Sequence, residues 1–599
     1  MSPDMQNHSY ISIKKNHVVA MVLAVTFIAF INTLSFDFTN SDEETHVVLN
    51  TRIRDLSLSG IVVIFSSMDL NLYTPLTTLS FALDYAMWGL NPFGYHAVNL
   101  LLHLLNTWLV FLFCLRWSGR LVVATIASCL FGVHPVHVES VAWIVERKDL
   151  LFTAFAMSSL LFFENYQQKP EKRLLYAASV VTFICSLLSK PQAAALPVIM
   201  LLMDHFRGIE FRHSLGRIWP FLLLSFAICG MTLIVSVFSF DQGNYSYSYS
   251  CAWWNRPFVV TYGICFYIVK LIWPFGLPAV YECSNEMMGV MPLFFYLSVF
   301  GVIFLIVVVW QLWHKRRDLI FGVLFFFLIL LPVIQIVPFG QVFVAERYAY
   351  MSSVGMLLFA GQLAGEFINR HPACRYHLFA AIILVVIGMV ALTYERNKIW
   401  KDGLTLNSAI ISRNPNVALA FNNRGVARFR LGDTDGAHQD YNQAVRLDPL
   451  YAKAFFNRGI LRSSINDISG AVSDYSIAIA IDSRYAEAYH NRALLLELQG
   501  ETNAALRDFS SAVLYKPDLE PSFVLRGVIM AEQRRYDRAL ADFKRAIVLN
   551  PTNAAVYFNM GKVYLEMTNY AAARLCFENA KNLGLRIGSS QTGNSSVRH

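Results

Sequence analysis

Apolar stretches long enough to cross a bilayer recur through the first 400 residues, and they constrain the fold more than any motif does. They run at about 17–36, 97–115, 121–136, 149–166, 173–189, 191–206, 217–239, 291–312, 319–338, 350–368 and 376–394. No water satisfies backbone N–H and C=O groups inside a bilayer, so segments of this length and composition must be helices. A twelfth stretch, 257–276, carries Lys270 in mid-run and is broken at Trp273-Pro274. With eleven spans and that stretch lying in the interface, the basic residues fall on one side. They are Lys14/Lys15, Arg116/Arg120, Lys169/Lys172/Arg173, Arg207/Arg212/Arg217, Lys315/Arg316/Arg317 and Arg370/Arg375. Cytoplasmic loops collect Lys and Arg. Twelve spans would move Lys315-Arg316-Arg317 outside, so eleven is the expectation. The N-terminus is then cytoplasmic, and the first stretch is a retained signal anchor, too long for a signal-peptide core. Everything beyond residue 400 is exported. The net charge of +8 follows from the basic loops and calls for no nucleic-acid partner.

The second half has a different solvent. The chain is 55% hydrophobic overall, yet from about residue 400 it turns polar and rich in Ala, Asn, Arg and Asp. Pro415, Pro449, Pro517 and Pro551 are spaced by multiples of 34, with Ser483 in the empty slot. Each period brings a small residue (Gly425, Gly459, Ala493, Gly527, Gly561) and later an aromatic (Tyr441, Tyr475, Phe509, Phe543, Phe577) flanked by alanines. This is the tetratricopeptide (TPR) period. It predicts five helical pairs over 416–585 stacked as an α-solenoid, with a polar tail at 586–599 expected to be disordered. The fold class expected is all-α: a polytopic membrane helix bundle over 1–400, then the solenoid. The nine cysteines form no CxxC pair and read as small buried hydrophobes, although Cys251 and Cys283 could meet in an exported loop.

Candidate chemistry lies on the side expected to be exported. Ser41-Asp42-Glu43-Glu44 sets three consecutive carboxylates beside an apolar span, a costly arrangement because like charges repel and burial disfavours ionisation. The same side receives His134-Pro135-Val136-His137-Val138-Glu139, Glu146-Arg147-Lys148-Asp149, Lys190-Pro191 and Glu346-Arg347-Tyr348. Arg147, Lys148, Lys190 and Arg347 break the positive-inside pattern. Cations at the outer ends of helices suit a lipid-linked phosphate, for which arginine offers a planar fork; the alternative is structural pairing with Glu139, Glu146, Asp149 and Glu346. His134, His137 and Glu139 have a spacing open to metal ligation, but a short turn at a helix end favours a structural, supporting role. In the repeats, Asn423, Asn457, Asn491 and Asn559 share one slot on the first helix of their pairs, interrupted by Leu525. An amide ladder there offers donors and acceptors to a peptide backbone; its alternative is packing between repeats.

These residues resemble a known family. Ser41-Asp42-Glu43-Glu44 with Asn50, Asn71–Thr78, Gly89-Leu90-Asn91-Pro92-Phe93-Gly94-Tyr95-His96 through His103, and above all His134–Trp143 with Glu146-Arg147-Lys148-Asp149, look like bacterial relatives of the transmembrane-and-tetratricopeptide-repeat O-mannosyltransferases. The resemblance covers nearly the whole chain. It implies a GT-C glycosyltransferase that takes a sugar from a polyprenyl-phosphate donor on the exported face, in the bacterial inner membrane or facing the endoplasmic-reticulum lumen. In the latter case Asn244-Tyr245-Ser246 becomes a glycan acceptor. The family's paired acidic motif, usually two aspartates, reads Asp42-Glu43 here. By carry-over Asp42 is the catalytic base or acceptor-orienting group, Glu43 its partner, and Arg147, Arg347 and Lys190 the phosphate contacts. Inverting transfer needs a base at the hydroxyl and cations at the departing phosphate. It needs no nucleotide and no organic cofactor, and a divalent metal stays open. The partners implied are a polyprenyl-phosphate sugar, a protein or peptide in the TPR groove, and membrane lipid. Two other readings stand beside this one: a membrane-anchored TPR scaffold for exported proteins, and a lipid-linked oligosaccharide ligase, whose large exported loop would come late in the chain.

Overall fold

The computed structural model describes residues 3–39, 41–68, 73–240, 253–281, 291–313, 315–336 and 343–585, with side chains from residue 15 onward and outside 232–240. The Cys251–Cys283 pairing, the Asn244-Tyr245-Ser246 site and the 586–599 tail lie outside these residues. Among the described residues the chain is helix and turn, with no strand. It divides into two compact units, Met1–Arg413 and Asn414–His599.

The first unit begins with α1 (Pro3–Phe30) and a folded loop carrying α2 (Leu58–Ser66) and α3 (Pro75–Trp88). Then come α4 (Pro92–Ser118), α5 (Leu121–Val133), α6 (Val138–Ala142), α7 (Arg147–Gln168), α8 (Arg173–Ser189) and α9 (Leu196–Phe206). These are followed by α10 (Phe211–Phe240), α11 (Arg256–Ile272), α12 (Leu293–Leu312), α13 (Arg317–Leu330), α14 (Ala349–Arg370), α15 (Arg375–Asn397) and α16 (Gly403–Arg413). Local chemistry sets the ends. Asn91 Oδ1 accepts from Phe93 N at 3.1 Å and Pro92 occupies the first position of α4, while Gly119 at φ 67° closes it.

Among the described residues six helical stretches are long and apolar enough to cross a membrane: Lys15–Ser35, Pro92–Ser118, Phe211–Met231, Leu293–Leu312, Glu346–Arg370 and Pro372–Trp400. The bent pair Leu121–Val133 and Pro135–Ala142 makes a seventh if counted as one span. The other expected spans are helices that are shorter or more charged. Pro191 and Pro197 break the 191–206 run and leave α9 with 11 residues. Pro332 follows the end of α13, which has 14 residues. The 173–189 run is the 17-residue α8, and α7 opens on Arg147-Lys148-Asp149 and buries Glu164. The 257–276 stretch is a 17-residue helix, α11, ending at an exposed Trp273.

Close backbone approach holds the bundle. A Cβ at Gly322 would meet Gly355 O at 2.5 Å, so α13 and α14 touch along their glycines. Side-chain amides and a hydroxyl tie helix ends together. Asn397 Nδ2 donates to Ala29 O (2.9 Å), Asn32 Nδ2 to Tyr394 O (3.0 Å), Thr393 Oγ1 to Val133 O (2.7 Å), Asn106 Nδ2 to Leu150 O (3.0 Å) and Gln192 Nε2 to Ile329 O (2.9 Å). These bonds join the end of α15 to the ends of α1 and α5, the middle of α4 to the first turn of α7, and the turn before α9 to the last turn of α13. The loop after α1 folds around its own small apolar cluster, including Phe38, Val47, Ile53, Ile64, Phe81 and Tyr95.

The second unit is five helical pairs: α17–α18 (Ala418–Arg430, Thr434–Leu447), α19–α20 (Ala452–Ser464, Ile468–Ile481), α21–α22 (Ala486–Leu498, Thr502–Tyr515), α23–α24 (Glu520–Glu532, Tyr536–Leu549) and α25–α26 (Ala554–Glu566, Tyr570–Asn582). The 34-residue period works as expected. Cβ atoms at Gly425, Gly459, Gly527 and Gly561 would lie 2.6–2.8 Å from the rings of Tyr441, Tyr475, Phe543 and Phe577, so the glycine admits the aromatic.

Candidate functional site

The carboxylate stretch lies in the loop after α1, beyond a short 3-10 turn over Ile31–Ser35. Asp42 is exposed, whereas Glu43 is 1% exposed. Thr39 Oγ1 donates to Glu43 Oε2 at 2.7 Å and Ser41 N at 3.3 Å, while Glu43 Oε1 is buried without a donor among the described residues. Burial pushes the Glu43 carboxyl up to about 7, with the Thr39 hydrogen bond pulling the other way. The adjacent carboxylates are therefore unlike groups, one wet and one dry. Asp37 N donates to Lys401 O at 2.9 Å, which fixes this loop to the segment after α15.

Arg147, expected to face a phosphate, is fully buried and its guanidinium is occupied on every edge. Nε donates to Asn99 Oδ1 (2.7 Å) and Nη2 to Tyr95 O (2.9 Å), and Nη1 pairs with Asp84 and lies 3.4 Å from Ser80 O. It stacks over Phe81 at 4.7 Å. Burial pushes Asp84 up and Arg147 counters it. Arg147 thus clamps α3 and the start of α4 to α7, and it holds the acidic loop from below through Tyr95, whose ring meets Phe38 at 5.6 Å.

The other cations converge. Arg347 Nη1 pairs with Glu139 and its Nε lies 3.4 Å from Glu146 Oε1; Lys148 Nζ reaches the same oxygen at 3.1 Å. Lys190 Nζ pairs with Asp149 and sits 5.3 Å from the Tyr348 ring. The Arg347 guanidinium lies 5.7 Å from the Trp143 ring, and Trp143 stacks on the buried Trp400 at 5.3 Å. Because Trp400 adjoins Lys401, this stack leads from the cation cluster back to the acidic loop. Glu346 turns away from the cluster to Arg396 (2.6 Å) and Tyr281 (2.7 Å).

His134, His137 and Glu139 do not converge on one point. His134 Nδ1 accepts from Val136 N (3.3 Å), so its Nε2 carries the proton given to Leu271 O (3.0 Å). His137 bonds Phe131 O (2.8 Å) and Ser353 Oγ (3.0 Å), while both oxygens of Glu139 face Arg347. Among the described residues no group of three or more His, Cys, Asp or Glu is arranged to hold a metal. Sequence reasoning passed over Asp84, Asn99, Tyr281, Arg396 and Trp400. Their signal is pairing across loops, which spacing does not encode.

In the repeats, Asn457 Nδ2 donates to Asn422 Oδ1 (2.8 Å) and Asn422 Nδ2 to Asn423 Oδ1 (3.1 Å). Asn491 lies beside the Tyr475 hydroxyl. Asn559 makes no side-chain hydrogen bond among the described residues. A second ladder runs beside this one: Arg424–Asp440, Arg458–Asp474, Arg492–Asp508 and Arg526–Asp542 are two-pronged pairs at one slot in successive repeats.

Comparison with known proteins agrees with both halves. Tetratricopeptide-repeat models match residues 418–451, 527–567 and 554–583. Protein O-mannosyl-transferase F38B6.6 of Caenorhabditis elegans is 26% identical over 463 residues, covering 72% of this chain and 63% of that protein. Protein O-mannosyl-transferase TMTC2 of Mus musculus is 36% identical over 146 residues, 22% of this chain and 17% of that protein. A solved TPR protein, YrrB, described as having an unusual peptide-binding site, is 18% identical over 30% of this chain and 92% of its own, with a TM-score of 0.28. The chain matches less than two thirds of the length of these curated relatives. It is a homologue of proteins named protein O-mannosyl-transferase, and it carries tetratricopeptide repeats.

Proposed function

We propose that the chain is a membrane glycosyltransferase that moves a sugar, mannose by analogy with the names of its relatives, from a polyprenyl-phosphate donor to a protein Ser or Thr hydroxyl on the exported face. The observation that supports this reading is the run of contacts, Asp37 to Lys401 and then Trp400 to Trp143 to Arg347, that ties the acidic loop to the cation cluster. In the proposal Asp42, reachable from solvent, accepts the proton of the attacking hydroxyl. Glu43, dry and pinned by Thr39 and Ser41, holds the loop. Arg347 and Lys190, joined by Lys148, take the phosphate by leaving their carboxylates. Arg147 positions the loop and does not touch the donor. His134, His137 and Glu139 brace the turn that carries Trp143. The TPR groove holds the acceptor, with Asn423, Asn457, Asn491 and Asn559 along its first helices. The basic ends of α4, α8, α9 and α14 support a cytoplasmic placement of those ends.

The test is release of polyprenyl phosphate from polyprenyl-phosphate mannose by the purified full-length chain, with a Ser/Thr-rich acceptor peptide. Turnover that requires both substrates and is lost in Asp42→Asn supports the reading; full turnover in Asp42→Asn removes Asp42 from it, and no turnover with any polyprenyl-phosphate sugar ends it.

A further inference from the structure

Two carboxyl groups in the cation cluster are unevenly used. Glu146 Oε1 receives both Lys148 Nζ (3.1 Å) and Arg347 Nε (3.4 Å), whereas Glu146 Oε2 is buried with no donor among the described residues. Asp149 Oδ1 receives Lys190, and Asp149 Oδ2 is buried with no donor among the described residues. Both residues are 1% exposed. They stand three residues apart across the first turn of α7, which makes them neighbours on one face, and they hold parts of the same cation cluster. Two ionised carboxylates offer only acceptors, so neither orphaned oxygen can serve the other unless one carboxyl carries a proton. Two negative charges in one dry site repel, and a shared proton relieves that repulsion. The charged and titratable groups that face the pair are Lys148 on α7 itself, Lys190 after α8, Arg347 and Tyr350 around the start of α14, and Glu139 on α6 through Arg347.

We infer that Glu146 and Asp149 share one proton and deliver it to the phosphate that leaves during transfer. This rests on the glycosyltransferase reading above. The bond between the sugar C1 and the donor phosphate oxygen breaks, and its electron pair stays on that oxygen. The acceptor oxygen bonds C1 and gives its proton to Asp42. The departing phosphate monoester, now a dianion, takes the shared proton and becomes a monoanion. The carboxyl pair, doubly ionised, draws back Lys148, Lys190 and Arg347, which loosens the product. Water returns a proton to the pair and takes one from Asp42, so the cycle closes without an added reactant. The cluster is thereby a device for exchanging phosphate and carboxylate on the same cations.

Infrared spectroscopy of the full-length protein in lipid nanodiscs, without donor, tests the shared proton. The wild-type-minus-variant spectrum at pH 7 is expected to contain a protonated-carboxyl band for both Glu146→Gln and Asp149→Asn, and none for the control Glu366→Gln. Absence of that band for either variant overturns the inference. Calorimetry with polyprenyl phosphate in buffers of different ionisation enthalpy tests the hand-off. Wild type is expected to bind without net proton uptake, and Asp149→Asn to draw about one proton from buffer. Equal uptake by the two overturns it. Neither measurement uses turnover, so both report on the pair even in a protein with no transferase activity. Where turnover is seen, general-acid loss predicts a fall of about a hundredfold in kcat for Asp149→Asn with KM little changed.

Discussion

The Arg–Asp ladder of the repeats and the cation cluster of the first unit are both buried, both join helices, and both set cations against carboxylates. They differ in completeness. In the ladder each arginine gives Nε and Nη2 to the two oxygens of one aspartate, and Asp440 and Asp474 gain a second cation at 3.0 Å from Arg428 and Arg462. No ladder oxygen is left buried without a donor. In the cluster, Glu146 and Asp149 each leave an oxygen orphaned while several cations crowd their partners. A pair that only holds a fold can be saturated, because nothing must displace it. A pair that gives up its cation to a ligand cannot be saturated, or the ligand would have to break every bond at once. The fifth repeat sharpens the point: Met560 and Cys576 stand where the ladder would place Arg and Asp, so both partners change together.

The largest effect follows from breaking the ladder on one side. Asp474→Ala leaves the Arg458 charge in a mostly dry site, and is expected to destabilise the protein by about 3–5 kcal/mol. The paired change Arg458→Met with Asp474→Cys, copying the fifth repeat, is expected to cost only about 1 kcal/mol. Urea unfolding of the full-length chain followed by circular dichroism measures both. Equal losses in the single and double variants would mean that the ladder is not a coupled pair.

The converse is expected in the cluster. Arg347→Lys keeps the charge but loses the planar fork that spans Glu139 and Glu146. We expect turnover to fall about a hundredfold while stability moves by about 1 kcal/mol or less. Arg458→Lys in the ladder should shift the unfolding midpoint and leave turnover unchanged. If the two lysine variants behave alike, the proposed division of labour between the regions is wrong.

Much of this architecture was legible in the sequence, for reasons that differ by element. The repeats were legible because one contact, glycine under an aromatic ring, recurs at a fixed period. The Arg–Asp ladder was equally available, since Arg424, Arg458, Arg492 and Arg526 keep the same period, but charged residues on a polar helix read as solvent-facing. Individual spans were less legible. Pro191, Pro197 and Pro332 interrupt runs whose summed hydropathy is high, so apolar length overstated helix length. Lys148, Lys190 and Arg347 were legible as cations that depart from the pattern of basic loops, because that pattern depends only on counting basic residues along the chain. Partners were not: Asp84 reaches Arg147 through the fold of a long loop, and no spacing rule carries that register. The unlike environments of Asp42 and Glu43 were also hidden, because adjacent residues at the end of a helix differ in burial only through what packs on them.

Glu43 gives a pH test of intermediate size. Its carboxyl is raised to about 7 in the folded chain against an ordinary value of 4.5. The folded state therefore keeps a proton that the unfolded state releases. This contribution is fully present below about pH 4.5 and is lost as pH rises through about 7, up to ~3 kcal/mol in all. Wild type is expected to lose stability between pH 5 and about 8 more steeply than Glu43→Gln, as read by the urea midpoint at each pH. Parallel profiles would show that Glu43 ionises as it would in water, and the dry half of the acidic pair would be gone.

The smallest effect separates two asparagines in one slot. Asn457 spends its amide on Asn422 between repeats, whereas Asn559 has no side-chain hydrogen bond among the described residues. Structural use and availability for a ligand are thus split along a single ladder, as they are split between the ladder and the cluster. Asn457→Ala is expected to cost about 1 kcal/mol of stability, the net worth of one buried hydrogen bond. Asn559→Ala should leave stability unchanged within about 0.5 kcal/mol. It should still weaken binding of an extended Ser/Thr-rich peptide by about fivefold, the equivalent of about 1 kcal/mol at one amide. Fluorescence anisotropy with a labelled peptide reads the second effect. If Asn559→Ala binds the peptide as wild type does, the amide ladder is packing between repeats throughout, and acceptor recognition must be sought on other residues of the first helices.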